Sequence, residues 1–356
     1  MEQFLLLRIL HDDGDADDLL QACATGKHLV AAKTWEEATT FLGRLKSWKE
    51  YLASIDNGSQ HEGIFTVVRH YQLSTLQKAG DPIEYEEDPT QQKVIFTPRP
   101  VRKTNNPFAS SNRPAPVTPT PGSRHQRKQD SASISDLDTA MGNLEMTTPD
   151  TTEAEARTPS PLEQISPAQD DNPNKEKAVE DEQIVNIALL IFLNAITVPY
   201  TKGTNEWSPY RCPFVVKDAG GNKVYEARVD GLLRDKATRT QTKALVEVKP
   251  HPRRDTTRMQ EAAQMAAWIS NYPPPGYEQD PKEVYKRLLV SQDKQMIYVS
   301  IASFDAEYVK YIQGKPTSTT SLLSMIEYGP FDVGIKRHME ALGFIMRSFS
   351  IQGEVL

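Results

Sequence analysis

The sequence predicts an α/β fold over residues 179–356, preceded by a small α+β module at 1–96 and a disordered linker at 97–178. Three observations carry this. The run Ala244-Leu245-Val246-Glu247-Val248-Lys249 alternates, so Ala244, Val246 and Val248 point to one face of a strand and Leu245, Glu247 and Lys249 to the other. Around it, apolar segments follow in the order helix, three strands, helix, strand, helix. The middle of the chain is rich in Pro, Ser, Thr and Asn with almost no aliphatic periodicity, and it cannot bury enough surface to offset chain entropy.

In the first region, Thr34-Trp35-Glu36-Glu37 predicts a capping box with Thr34 as N-cap. Phe41, Leu42, Leu45, Trp48 and Leu52 then recur at helical spacing. The β-branched run at 64–68 predicts a strand. The acidic run at 12–18 lacks the ligand spacing and terminal Glu of a calcium loop and predicts a solvated turn.

In the last region, 182–197 predicts an apolar core helix and 213–217 a strand. Ala219-Gly220-Gly221-Asn222 predicts a hairpin turn, 224–233 the second strand and 244–248 the third. Residues 257–271, rich in Ala, Met and Gln, predict a helix ended by Pro273-Pro274-Pro275. A strand is expected at 296–303, and a short helix at 305–312 with Asp305 in the first turn, where the dipole favours an acid. An edge strand at 322–328 and a closing helix at 334–350 complete the series.

Composition narrows the function classes. Of 356 residues only Cys23 and Cys212 are cysteines, far apart and away from any His cluster, which gives neither a disulfide framework nor a zinc site. A reducing, intracellular compartment, nuclear or cytoplasmic, is the expectation. The N-terminus lacks the basic flank and cleavage site of a secretory signal. The longest apolar run, 187–196, is about half the length that spans a bilayer, so no membrane partner is expected. The net charge of −7 is unevenly spread. From Asp181 onward there are 22 Lys and Arg against 20 Asp and Glu, and elsewhere 19 against 28. The acidity lies outside the C-terminal part, so a phosphate-bearing partner is not excluded.

The linker holds Thr-Pro and Ser-Pro pairs, among them Thr118-Pro119, Thr158-Pro159 and Ser166-Pro167. They are sites for proline-directed kinases, or the pairs that any Pro- and Thr-rich linker generates. The run at 124–128, Arg-His-Gln-Arg-Lys, is a short nuclear signal or a solvated charge run.

Asp230 lies in the second predicted strand and the Glu247-Val248-Lys249 triplet in the third. If the two pair, two carboxylates and an ammonium converge. With Glu182 in the first helix and the run Met259-Gln260-Glu261-Ala262-Ala263-Gln264 in the next, this order resembles the PD-(D/E)XK nuclease superfamily, in particular the nuclease-like domains of fungal proteins. The resemblance covers 179–356 only. It implies a restriction-endonuclease-like core, a mixed central sheet flanked by helices. It also implies a nuclease dependent on Mg²⁺ or Mn²⁺ that hydrolyses DNA or RNA. Two positions depart from the pattern: Val229 precedes the Asp where the family has Pro, and Trp268 stands where some relatives have Tyr.

In this reading Asp230, Glu247 and the Val248 carbonyl supply hard oxygens to the cation. Lys249, protonated beside the carboxylates, orients water or offsets developing charge. Glu182 approaches the same water from the first helix. Gln264 is a polar contact by its motif position, and Gln260, four residues earlier, shares its helix face. Arg228, Arg253, Arg254 and Arg258, with Gln260, are the candidate contacts to a nucleic-acid backbone, with His251, Lys202, Arg234, Lys236 and Arg239 near them in sequence. Glu206-Trp207 and Pro209-Tyr210-Arg211 form a base-stacking platform or pack beneath a loop.

Each piece alone is commonplace: Glu-x-Lys on a strand is usually a solvated face or ion pair, and Asp-Gly a turn. The competing functions are a catalytically inactive nuclease-fold module that binds nucleic acid or a protein partner, and a scaffold regulated by phosphorylation of the linker.

Overall fold

The computed structural model describes residues 6–26, 29–59, 62–76, 173–199, 203–218, 220–280 and 283–352. The kinase sites, the basic run at 124–128, Lys202 and Ala219 lie outside the described residues, as does the expected linker except for its last residues.

The fold is α/β, built on a seven-stranded mixed sheet. In chain order the elements are β1 (Ile9–Gly14), α1 (Ala16–Ala24), α2 (Ala32–Arg44), α3 (Lys46–Asn57), α4 (Ile64–Leu76) and α5 (Pro173–Thr197). Then come β2 (Asn205–Ser208), β3 (Pro213–Lys217), β4 (Lys223–Arg228), β5 (Gly231–Asp235), β6 (Thr242–Lys249) and α6 (Asp255–Asn271). The chain closes with β7 (Tyr285–Asp293), β8 (Met296–Phe304), α7 (Ala306–Ile312), β9 (Leu323–Asp332) and α8 (Lys336–Gln352). The sheet order is β1-β9-β8-β7-β6-β5-β2, and β3 and β4 form a separate hairpin. β6 and β7 are parallel, joined across one face by α6, and β1 is parallel to β9.

The alternation in β6 divides the core. Ala244, Val246 and Val248 pack with Leu193 of α5, Ile345 of α8 and Leu42, Trp48 and Phe65 of α2–α4. Leu245 packs on the other side with Ala262, Met265 and Ile269 of α6, Tyr308 of α7 and Phe214 and Tyr225 of the hairpin. The same alternation sends Glu247 and Lys249 to the α6 side.

Several expectations are corrected. The described residues of 6–76 are four helices and one strand, and they group in one compact unit with those of 173–352. The strand is β1, at the sequence expected to be an acidic turn: Asp12 and Asp13 pair with Ile326 and Glu327, and Asp15 caps α1 by accepting from the Asp17 amide at 2.7 Å. Residues 64–68 are helical, because Phe65, Val68, Gln72 and Thr75 are the buried positions, spaced three and four apart. Thr34 is not an N-cap. The helix begins at Ala32, and the Ala31 amide donates instead to Gln352 Oε1 of α8 at 3.1 Å. Leu45 divides the expected long helix into α2 and α3. Residues 322–328 are not at an edge, because β1 covers β9. The expected second strand is broken at Val229-Asp230 into β4 and β5, and β2 and β7 are additional strands.

The N-terminal helices are fitted closely to α8. A Cβ on Gly343 would stand 2.4 Å from the Trp48 ring. Trp48 in turn packs 5.4 Å from Phe65 and 6.4 Å from Phe192, between ring centroids.

Candidate active site

The break between β4 and β5 positions Asp230. Its amide donates to the Val246 carbonyl at 3.0 Å, and its side-chain Oδ2 accepts from the Val248 amide at 3.1 Å. The Asp230 carboxylate thus takes the place of a ladder partner where the chain ahead of β5 leaves β6 for the β3–β4 hairpin. The amide and carbonyl of one strand residue leave along the same edge, so the Val248 carbonyl is directed toward that side as well. Gly231 lets β2 come close beside this break: a Cβ there would lie 2.8 Å from the Ser208 carbonyl oxygen.

Glu247 is 2% exposed. Its Oε1 accepts from Lys249 Nζ at 2.6 Å and from Gln260 Nε2 at 2.7 Å, and its Oε2 accepts from Gln264 Nε2 at 2.7 Å. The Gln264 amide also donates to the Arg228 carbonyl at 2.6 Å, which ties α6 to the end of β4. These contacts follow from the sequence spacing. Gln260 and Gln264 share one face of α6, and that face lies over the strand face carrying Glu247 and Lys249.

Burial pushes the Glu247 carboxyl up to about 8; the Lys249 charge works against the rise and the Asp230 carboxylate adds to it. Burial alone would lower Lys249, but the Glu247, Asp230 and Glu182 carboxylates more than offset it, and the ammonium is held above its ordinary value. Lys249 is therefore a fixed cation. Glu182 is raised chiefly by burial, with Lys249 and Arg211 opposing and Asp230 assisting.

All five residues nominated for catalysis, Glu182, Asp230, Glu247, Lys249 and Gln264, line one cleft of about 330 Å³, and Arg228 and Gln260 line it too. The other nominated cations are elsewhere. Arg253 is buried among Glu261, Asp293 and Glu327, and Arg258 bonds Glu327 at 3.0 Å; neither lines the cleft. Arg254 is the N-cap residue of α6 and does not line the cleft. Arg234 pairs with Glu206 at 2.9 Å, and Lys236 donates to the Gly203 carbonyl. Trp207 is core, donating to Ser350 Oγ at 3.1 Å, and so is no stacking platform. Trp268 is buried, with the Arg287 guanidinium 4.2 Å above its ring.

The sequence did not single out Arg211. It lies between β2 and β3, and its Nη2 donates to Asp230 Oδ1 at 2.8 Å and to Glu182 Oε1 at 3.3 Å. One arginine in a loop has no spacing that marks it.

Compared with protein-family models, curated proteins and solved structures, the chain matches none. Its chemistry rests on its own geometry. Among the described residues no three His, Cys, Asp or Glu side chains form a metal-ligating group. A hard cation such as Mg²⁺ does not need three, because it takes one or two carboxylates and keeps several waters. Two features fit such an ion. Three carboxylates, Glu182, Asp230 and Glu247, face two paired cations, Arg211 and Lys249. Gln264 Oε1, at the same cleft, is a buried oxygen without a hydrogen-bond partner.

Proposed function

We propose that the protein is a metal-dependent nuclease of the PD-(D/E)XK type, hydrolysing phosphodiester bonds of DNA or RNA. One observation carries the reading: Asp230, Glu247, Lys249, Gln264 and Glu182, from four separate elements or seams, converge on one cleft. The excess of carboxylates favours a divalent cation over a bare phosphate site, because phosphate meets like charge there until a cation offsets it.

Asp230, Glu247 and the Val248 carbonyl would hold Mg²⁺ or Mn²⁺. When bound, that ion lowers the pKa of water and offsets charge on the phosphate. Lys249 supplies a positive charge fixed by its bond to Glu247, aimed at charge that develops on the phosphoryl oxygens. Gln260 and Gln264 hold the Glu247 carboxylate in one orientation. The water oxygen joins phosphorus while the bond from phosphorus to one sugar oxygen breaks, and that oxygen leaves with the bonding pair and takes a proton from solvent. Glu182, a stronger base than an exposed carboxylate, takes the proton that the water sheds.

The test is cleavage of single-stranded, double-stranded and branched DNA and RNA with Mg²⁺ and with Mn²⁺. Activity abolished by Glu247→Gln and by Lys249→Ala is the expected result. No cleavage of any substrate with either metal overturns it. The second reading, an inactive module that binds nucleic acid or a protein partner, is favoured by the Arg211 bridge, which balances Asp230 and Glu182 without a metal. It requires nucleic-acid or protein binding that survives Glu247→Gln.

A further inference from the structure

The two cations of the cleft are held in different ways. Lys249 rises from the middle of the sheet, with its side chain 5% exposed and 2.6 Å from Glu247. Arg211 reaches in from the connection between β2 and β3, and its side chain is 52% exposed. A single nitrogen, Nη2, bridges Asp230 and Glu182, which belong to different elements. Bonds from a half-exposed side chain of this length are weak, since the chain loses little by letting go. Arg253 is the contrast. It is 7% exposed with three carboxylates around it, and it has no such freedom.

Asp230 is also the carboxylate with the best claim on a divalent cation. A guanidinium on its Oδ1 and a divalent ion on the same oxygens repel each other at short range. A hard cation is the stronger partner for hard carboxylate oxygens, and a guanidinium is shaped for the paired oxygens of a phosphate. Rotation about the side-chain bonds of Arg211 is enough to move the charge out of the carboxylate pair, with the backbone unchanged.

Resting on the metal-dependent reading above, we propose that the divalent cation displaces Arg211 from Asp230 and in doing so releases Glu182 to act on the water. Before the cation arrives, the guanidinium keeps the two carboxylates together. Once displaced, it meets a non-bridging oxygen of the substrate phosphodiester. Binding is thereby ordered, metal first and nucleic acid second. The metal both offsets the carboxylates and frees the arginine.

The sign of one measurement separates exchange from a structural role. The full chain is titrated with Mn²⁺ by calorimetry as wild type, Arg211→Gln and Arg211→Lys, with folding checked by circular dichroism. Exchange predicts that Arg211→Gln binds Mn²⁺ about three- to tenfold more tightly, with Arg211→Lys between the two. A residue that merely shapes the cleft would weaken metal binding when removed. In parallel, anisotropy of a short labelled oligonucleotide is followed by rapid mixing before cleavage. Mn²⁺ should strengthen its binding to wild type and do so far less for Arg211→Gln. Mn²⁺ bound by wild type with equal or lower affinity in Arg211→Gln overturns the exchange alone. No Mn²⁺ binding by either chain overturns the metal-dependent reading and the exchange with it. Should Arg211→Gln not fold, Arg211→Lys carries the comparison, and an affinity equal to wild type overturns the exchange.

Discussion

Arg253 and Glu261 meet fork to fork, with Nη1 2.7 Å from Oε1 and Nη2 2.5 Å from Oε2. The same guanidinium also bonds Asp293 Oδ2 at 3.2 Å and Ser291 Oγ at 3.1 Å, and it touches Glu327. It lies 4.5 Å above the Tyr298 ring. Arg253 follows Lys249 by four residues, yet it turns under α6 rather than into the cleft. It joins β7, β9 and α6 through charge.

Removing that cation leaves buried carboxylates without their counter-charge. Arg253→Ala is expected to lose about 3–5 kcal/mol of stability, read from the urea midpoint at unchanged slope. A loss under 1 kcal/mol would show that the carboxylates relax to solvent.

Gly231 lies next to Asp230, where β2 backbone comes close. A Cβ meets backbone at Ser208, which cannot move as a flexible side chain would. Gly231→Ala should cost about 1–3 kcal/mol in chemical denaturation. The shift of β5 should also lower Mn²⁺ affinity, which an equally destabilising substitution such as Val68→Ala, remote from the cleft, should leave alone.

Gln260 and Gln264 both grip Glu247, but Gln264 is buried and holds Arg228 as well. Gln264→Ala should reduce the cleavage rate about 10–100-fold. Gln260→Ala, which removes one bond to one oxygen, should reduce it less. Equal rates for both variants and wild type in steady-state assays would remove the orienting role.

Glu307 gives the fold a measurable pH signature. Its carboxylate accepts from Lys310 Nζ at 2.8 Å, from the Ser318 amide at 2.6 Å and from Ser318 Oγ at 2.9 Å. Those bonds, Lys310 first, hold its pKa down at about 2, against an ordinary 4.5. A folded-state value below the unfolded one means stability that is fully present above pH 4.5 and lost as pH falls toward 2. Glu307→Gln should melt lower than wild type at pH 7, with the gap closing between pH 4.5 and pH 2 in calorimetric scans. A gap independent of pH would contradict the assignment.

Much of the site was legible because β6 alternates and its two faces meet different layers. Asp230, Glu247, Lys249, Glu182 and Gln264 do share a cleft. β7 was missed because a central strand buried on both faces loses its alternation: Leu288 to Asp293 are all buried. β1 was hidden by its aspartates, which favour turns in isolation; only the exposed edge of β9 makes a strand of them. Ile64 to Val68 has strand propensity, but burial of every third or fourth side chain decides for helix. The two arginines that matter most, Arg211 and Arg253, belong to irregular segments. Arg211 bonds Asp230 and Glu182, 19 and 29 residues away, and Arg253, besides Glu261 eight residues on, bonds Asp293 and Glu327, 40 and 74 away; no local pattern encodes the longer of these pairings.

The parallel pairing of β1 with β9 has a practical corollary. Residues 9–14 complete one border of the sheet, and Trp48 seats against Gly343, so residues 9–76 and 173–352 are held in a single body. A protease cut anywhere between 77 and 172 would therefore nick the molecule rather than divide it, and the fragments should travel together through gel filtration under native conditions. A truncation starting at 173 is a different matter. It strips a strand from β9 and bares the apolar side of α8, and its failure in an assay would report a torn sheet, not a dead cleft.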